Sequence, residues 1–523
     1  MNDSSLEVAE SDSAETIRTL REYIAHQERL IEYLLVHLDT RGSGFPFKEL
    51  WEVPKVCSVE KTQQISQDNK ELWGVPKVRA VEKAQQKSQD NLVRLKATWI
   101  GKFYVTHVKR HPFLRGITIW MWRHFYPLYV NHVALTQYKT AGRWRHLVKL
   151  SEVAQSKVIR HIQLTDIAPV ETPTPQVLPA SDQGYLVSPH ARYNFPSIYV
   201  TTINDGMIYG GTNLVLANEE VICHDLYDFR RDYTSEEIHG RNLINGRKRH
   251  IRWLLHDDVP EVLPMAATFV DACAPNYAHW LTEVLPRIAT FCAEEKFNAI
   301  PIVVNDDLHK NIMESLFLIT GSERDIITLP TGRAIQVNEL LITSVTGYVP
   351  FERRNNKISG HSHGLFSPYA FDIVRNKIAA FVAGKIVEKD WPEKIYLRRN
   401  SGIRKVANSL MLEKLLVELG YLIVEPEKLT FLEQAQLFSH AKVIIGSSGA
   451  ALANIIFAAP ETEIYILISK YPDTSYWYWQ NMACASGKTI RYILGEMVNS
   501  ASGIHSDFTV NLDEISKKLK ENS

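Results

Sequence analysis

Between residues 395 and 468 the chain alternates without a break between short β-branched runs and amphipathic helical stretches. Residues 395–398, 421–424, 443–445 and 463–468 read as strands, and 409–419 and 430–441 as helices. Gly420 stops the first helix, while Thr430 and Glu433 form a capping box that opens the second. The strand at 443–445 leads into Gly446-Ser447-Ser448-Gly449 and then a helix through Asn454. Strands joined through helices lie parallel, and a parallel sheet needs cover on both faces. Upstream the same logic holds more loosely. Strand-like runs at 198–203, 207–209 and 214–217 precede strands at 266–270, 300–304, 326–329 and 339–343. Helical stretches start at Asn276, after Asp307 and at Ser367-Pro368. The expectation is an α/β protein of two doubly wound halves, 180–385 and 386–523, with ligands in the cleft outside the carboxyl ends of their strands.

Composition supports a globular body: 45% of the 523 residues are hydrophobic, against collagen, global disorder or a small disulfide scaffold. The formal net charge is zero, from 59 Lys plus Arg and 59 Asp plus Glu, but it hides a division. Residues 92–161 carry 13 Lys/Arg and one acid, Glu152, so a segment of about +12 adjoins a remainder of about −12. Five scattered cysteines without a CxxC pair read as reduced thiols. The acidic N-terminus lacks the pattern of a secretory signal, and no apolar run is long enough to span a membrane.

Three modules are expected before the body. Residues 1–45 hold an acidic leader and a heptad seam over 17–38, read either as a helix packed on the body or as a coiled coil forming a homo-oligomer. Residues 46–91 are a 22-residue unit repeated once with 17 identities, too few copies for a solenoid and read as a spacer. Residues 92–165 form a basic segment rich in Trp and Tyr. That combination suits an anionic membrane surface, packing on the acidic body, or single-stranded nucleic acid. Nucleic acid is the least favoured, because the acidic body is a poor phosphate-binding surface. A Pro-rich stretch, 168–179, reads as the link to the body.

Three constellations carry chemistry. His279 and Glu283 are four apart on a helix, placed to form a carboxylate-oriented imidazole or simply a buried histidine at the helix start. Arg398 and Arg399 end a strand and are followed by Arg404, positions that meet phosphates or remain solvated. The small-residue loop 446–449, opening a helix, presents backbone N–H groups to an anion or is only a turn. It is neither a Walker A loop nor a GxGxxG loop. Tyr476, Trp477, Tyr478 and Trp479 suit sugar stacking but fit packing of the C-terminal half better. Neither Asp257-Asp258 nor Asp306-Asp307 has Asp-x-Asp spacing, so no metal is expected.

Taken together, these residues resemble glycosyltransferase family 61. The likeness rests on the motif from Asn276 to Arg287, on Tyr396, Leu397, Arg398, Arg399, Arg404 and Asn408, and on Gly420 and Tyr421. It continues through Pro426, Glu427, Leu429, Thr430, Gln434, Phe438, Ala441, the 446–454 loop and Phe457, covering roughly 260–470. The resemblance implies a GT-B fold and an inverting transfer of a hexosyl or pentosyl unit from a nucleotide diphosphate sugar, expected to be UDP-linked, to a hydroxyl acceptor. It implies His279 and Glu283 as the base pair, and Asn276 and Trp280 on the acceptor side. Arg398, Arg404, Gly446, Ser447, Ser448, Gly449, Ala450, Asn454 and Glu427 would form the donor side. The family often has His where this chain has Ser448. The expected setting is bacterial, cytoplasmic or peripheral on the inner membrane face, in surface or capsular polysaccharide synthesis with a glycan or lipid-linked glycan acceptor. The competing class is a non-catalytic scaffold with a transferase-like body.

Overall fold

The computed structural model describes residues 144–153, 158–186, 191–217, 219–229, 242–245, 249–253, 260–349, 351–354, 357–361, 364–384, 391–400, 404–470, 476–499 and 506–521. They all belong to one compact unit, Arg143–Ser523. The heptad seam, the repeat and residues 92–143 of the basic segment lie outside the described residues, together with the oligomer and membrane readings attached to them.

The alternating C-terminal stretch builds a seven-stranded sheet. Leu422–Val424, Lys394–Leu397, Val443–Ser447, Glu463–Ser469 and Ile490–Met497 lie side by side, all parallel. Numbered by appearance, these strands run 2-1-3-4-5, a doubly wound order whose ligand crevice opens between strands 1 and 3. Ile444, Ile445, Ile464, Tyr465, Ile466 and Leu467 are all fully buried, as two-sided cover requires. On one face lie the helices Ser409–Glu418 and Leu512–Glu521, through Leu412, Leu416, Ile515 and Leu519. On the other lie Phe431–His440, Ala450–Phe457 and Trp477–Ala485.

The N-terminal half departs from the expectation of a second doubly wound unit. Its sheet has eleven strands, of which Ile326–Leu329, Ile302–Asn305, Glu261–Thr268 and Ala334–Thr343 form a parallel block. By appearance that block runs 3-2-1-4, with its order reversing between Glu261–Thr268 and Ala334–Thr343. Beyond it Ala334–Thr343 pairs antiparallel with the long strand Tyr199–Tyr209, which continues through Val215–Ala217 to Glu220–Cys223. Tight reversals such as the one at Gly211, with φ 89°, leave no room for a crossover helix, so Tyr199–Tyr209, Val215–Ala217 and Glu220–Cys223 must be mutually antiparallel along the chain.

Two sequence boundaries move. Trp144–Lys149 and Val158–Gln163, from the end of the basic segment, are strands of this sheet, so over these residues packing on the body is the correct reading. Lys149 Nζ, for example, donates to the Asp225 carbonyl at 2.8 Å. The Pro-rich stretch is likewise built in rather than a link. Ala168–Glu171 pairs with Arg192–Phe195, and Gln176–Leu178 adds to the far edge of the C-terminal sheet beside Ile490–Met497. Pro169 is tolerated within Ala168–Glu171 because that strand belongs to a two-stranded sheet and lies at an edge, while Pro173, Pro175 and Pro179 fall outside the strands.

The two sheets share one continuous core. Leu281, Ile288, Phe291 and Ile312 from the first half pack in the same cluster as Phe431, Phe438, Ile455 and Met482 from the second. Among the described residues no helix is long and apolar enough to cross a membrane.

Candidate active site

In the C-terminal sheet the crevice position falls where Leu397 pairs with Gly446. Successive side chains of a strand point to opposite faces. Ile395 and Leu397 pack in the core shared by both halves and Tyr396 packs in the cluster on the other face. The same parity carries Arg398 and Arg399 apart.

Arg398 turns toward the Ser409–Glu418 helix and is clasped by carboxylates. Its Nε and Nη2 donate to Glu413 at 2.8 and 2.6 Å, and its Nη1 donates to Glu425 Oε1 at 3.0 Å. These hydrogen bonds hold its guanidinium above its ordinary pKa, Glu413 contributing most and then Glu425. In this arrangement the charge of Arg398 is matched by two acids.

Arg399 turns toward the 446–449 loop. A Cβ at Gly449 would land on Arg399 Nη1, so the guanidinium rests directly against the loop backbone. Burial, and then the charge of Arg404, push its pKa below the ordinary value. Arg404 is depressed by burial as well, and its Nε is buried with no hydrogen-bond partner among the described residues. Its backbone is held at φ 58°, a conformation that costs a non-glycine residue about 1 kcal/mol or more. Arginine stays protonated at any working pH, and Asp507 partly offsets the depression at Arg399. Two such guanidiniums beside a strand-to-helix loop suit an anion.

The remaining donor-side expectations separate. Gly446 faces Leu397, where even a Cβ would be tight at 3.1 Å, and Ser447 is buried. Ser448 Oγ accepts from Trp479 Nε1 at 3.0 Å, and Ala450 is exposed. Glu427 is exposed and accepts from Asn400 at the carboxyl edge of the sheet. Asn454 is 0% exposed, so it does not line the donor crevice. Its Nδ2 donates to Gln434 Oε1 at 2.8 Å and its Oδ1 accepts from Tyr277 Oη at 2.8 Å.

At the order reversal of the first sheet, Asn276 caps the next helix by accepting from Ala278 N at 3.0 Å. Tyr277–His279 is α-helical, Trp280–Val284 is a π turn, and Leu285–Cys292 resumes the α pattern. Pro286 has no N–H to give the Thr282 carbonyl, and Leu285 N–H reaches back five residues to Trp280 O. His279 and Glu283 meet on this widened turn, Nδ1 to Oε1, at 2.5 Å. An ionised carboxylate can only accept, so Nδ1 carries the proton and base work falls to Nε2. Glu283 Oε2 also accepts from Val349 N at 3.3 Å, which fixes the carboxylate that orients the ring. Their side chains are 6% and 10% exposed, sheltered from bulk water.

Trp280 does not join them. It is fully buried, with its indole N–H on Ser315 Oγ at 2.8 Å, and it anchors the helix to the core rather than facing an acceptor. The aromatic run Tyr476 to Trp479 is buried, as the packing reading expected, but Tyr478 also lies beside the site, its ring centroid 6.4 Å from that of His279. Sequence reasoning missed Asp271. Asn305 brackets its backbone at 2.9 and 2.8 Å, and Arg287 lies 3.6 Å from its carboxylate, a latch at the end of Glu261–Thr268. The parity of Lys394–Leu397 could have singled out Arg399, whereas nothing local marks Asp271.

Two parallel blocks thus place neighbouring arginines at one order reversal and a carboxylate-bound histidine at the other. Residues 277–465 match the family model described as Glycosyltransferase 61, a span that holds His279, Glu283, the three arginines and the 446–454 loop. Over this region the chain is similar to glycosyltransferase family 61. No curated protein matches the chain.

Proposed function

We propose that the protein is an inverting glycosyltransferase that moves a sugar from a nucleoside diphosphate donor to a hydroxyl of a glycan, on a GT-B-like frame. The observation that carries this reading is the neighbouring pair of half-buried guanidiniums, Arg399 and Arg404, with Arg399 Nη1 against Gly449 of the strand-to-helix loop. Transfer with inversion needs a base on the acceptor hydroxyl and positive charge on the departing diphosphate. His279, oriented by Glu283, supplies the base, while Arg399, Arg404 and the loop supply the charge. This division assigns leaving-group stabilisation to protein cations. The wider setting rests on sequence alone: a surface polysaccharide as product and a UDP-linked donor.

Calorimetric titration of the full chain with UDP, GDP and CMP, followed by turnover of the matching nucleotide sugars, tests the proposal. One nucleotide should bind, and His279→Ala should keep that binding while turnover falls by about 100-fold or more. A folded protein that binds no nucleotide would falsify the reading.

A further inference from the structure

The aromatic run beyond the family-matched region touches both candidate sites at once. Trp479 Nε1 donates to Ser448 Oγ at 3.0 Å, on the anion-facing loop. The neighbouring Tyr478 reaches the opposite way. Thr282 Oγ1 spends its proton on Ala278 O at 2.8 Å, so at the 3.3 Å Tyr478–Thr282 contact the tyrosine hydroxyl donates. Thr282 sits inside the π turn, directly before Glu283. A second tie lies across the same gap: Tyr277, two residues before His279, donates to Asn454 on the helix that follows the loop. Asn454 is itself held by Gln434.

We infer that Tyr478 and Trp479 are positioning residues that hold the His279–Glu283 pair in register with the 446–449 loop, Tyr277 with Asn454 forming the second tie. This inference rests on the glycosyl-transfer reading and adds to it how the two sites are kept aligned. A base and a leaving-group site on different sheets must hold their separation to a fraction of an ångström for transfer to proceed. The shared apolar core sets the spacing only loosely, because apolar contacts have no direction. Hydrogen bonds from two adjacent residues of one helix, one to each site, supply direction. Both polar groups are buried, so neither bond is exchanged for water at low cost.

Trp479→Phe and Tyr478→Phe each remove one polar atom and keep the ring. Each variant should melt within a few degrees of the parent, bind UDP within about threefold and turn over the donor about 10- to 100-fold more slowly at unchanged KM. The double variant should lose little more than either single one, because both break the same tie. In protein labelled at histidine carbons, UDP should shift the His279 ring signal in the parent and leave it in place in Trp479→Phe. Parent turnover with unchanged variants overturns this inference alone, as does a loss in which UDP affinity and melting temperature fall together with rate. Parent protein that binds neither UDP nor another nucleotide overturns the glycosyl-transfer reading, and this inference with it.

Discussion

Two adjacent arginines at the end of Lys394–Leu397 have opposite electrostatic circumstances, and each circumstance sets a different expectation. Arg398 forms a fork with Glu413 and a third bond to Glu425, but its side chain is 39% exposed, so solvent screens the cluster and its worth to stability is about 1 kcal/mol at most. Arg399 has Arg404 as a like-charged neighbour, only partly offset by Asp507, and rests against the backbone at Gly449. An arriving diphosphate would remove that repulsion and take charge-assisted hydrogen bonds, each worth about 1.5–3 kcal/mol. Arg399→Ala should therefore weaken UDP binding by about 10- to 150-fold, whereas Arg398→Ala should change it by no more than about threefold. Titration calorimetry on the two variants decides the matter, and equal losses would mean that Arg398 leaves its carboxylates to meet the ligand.

At the scale of elements, the helix that carries His279 works because it is imperfect. Pro286 has no N–H for the Thr282 carbonyl at the π turn, and that oxygen is accommodated by Gly347, where a Cβ would collide with it. Gly347→Ala must push the turn, and Glu283 with it, away from the Val349 N–H. The expected cost is about 1–3 kcal/mol in denaturant unfolding, with a larger fractional loss of turnover. Stability lost with turnover retained would show that the turn can move without the pair. Much of this architecture was legible beforehand. The capping box at Thr430 and Glu433 is present, and every strand read between 395 and 468 appears within two residues at either end. Alternation is a local signal and survives folding. The runs read separately at 198–203 and 207–209 proved to be one strand, Tyr199–Tyr209, and the Pro-rich stretch read as a link proved to hold two edge strands. Edge pairing depends on partners far along the chain, which local pattern does not carry. The same holds in the site. His279 and Glu283 follow from helical spacing, whereas Trp280, in the same motif, faces the core because the π turn and Ser315 decide its direction.

For the whole molecule, the shared core predicts joint behaviour of the two halves. Besides the apolar cluster, Glu314 of Lys310–Thr320 caps Phe431–His440 by accepting from Phe431 N at 2.8 Å, and Asn311 Nδ2 donates to Leu429 O at 2.9 Å. Residues of both sheets should thus unfold in one transition, giving a single stability whose pH dependence can be read. Lys488, 4% exposed, has its pKa pushed down to about 8, by burial first and by Arg375 second. Between about 8 and the 10.5 ordinary for lysine, the unfolded chain binds the proton that the folded chain has released, so stability rises with pH across that window. Buried tyrosines act in the opposite sense. Burial raises Tyr277, Tyr478 and Tyr492, so above about pH 10 the unfolded chain loses phenolic protons that the folded chain keeps, and stability falls. Denaturant unfolding followed from pH 7.5 to 11 should therefore show a maximum near pH 10, with a rise of about 1–3 kcal/mol on the lower limb. Lys488→Met should remove that rise and leave the fall above pH 10. A lower limb that persists in the variant would assign the rise to another group.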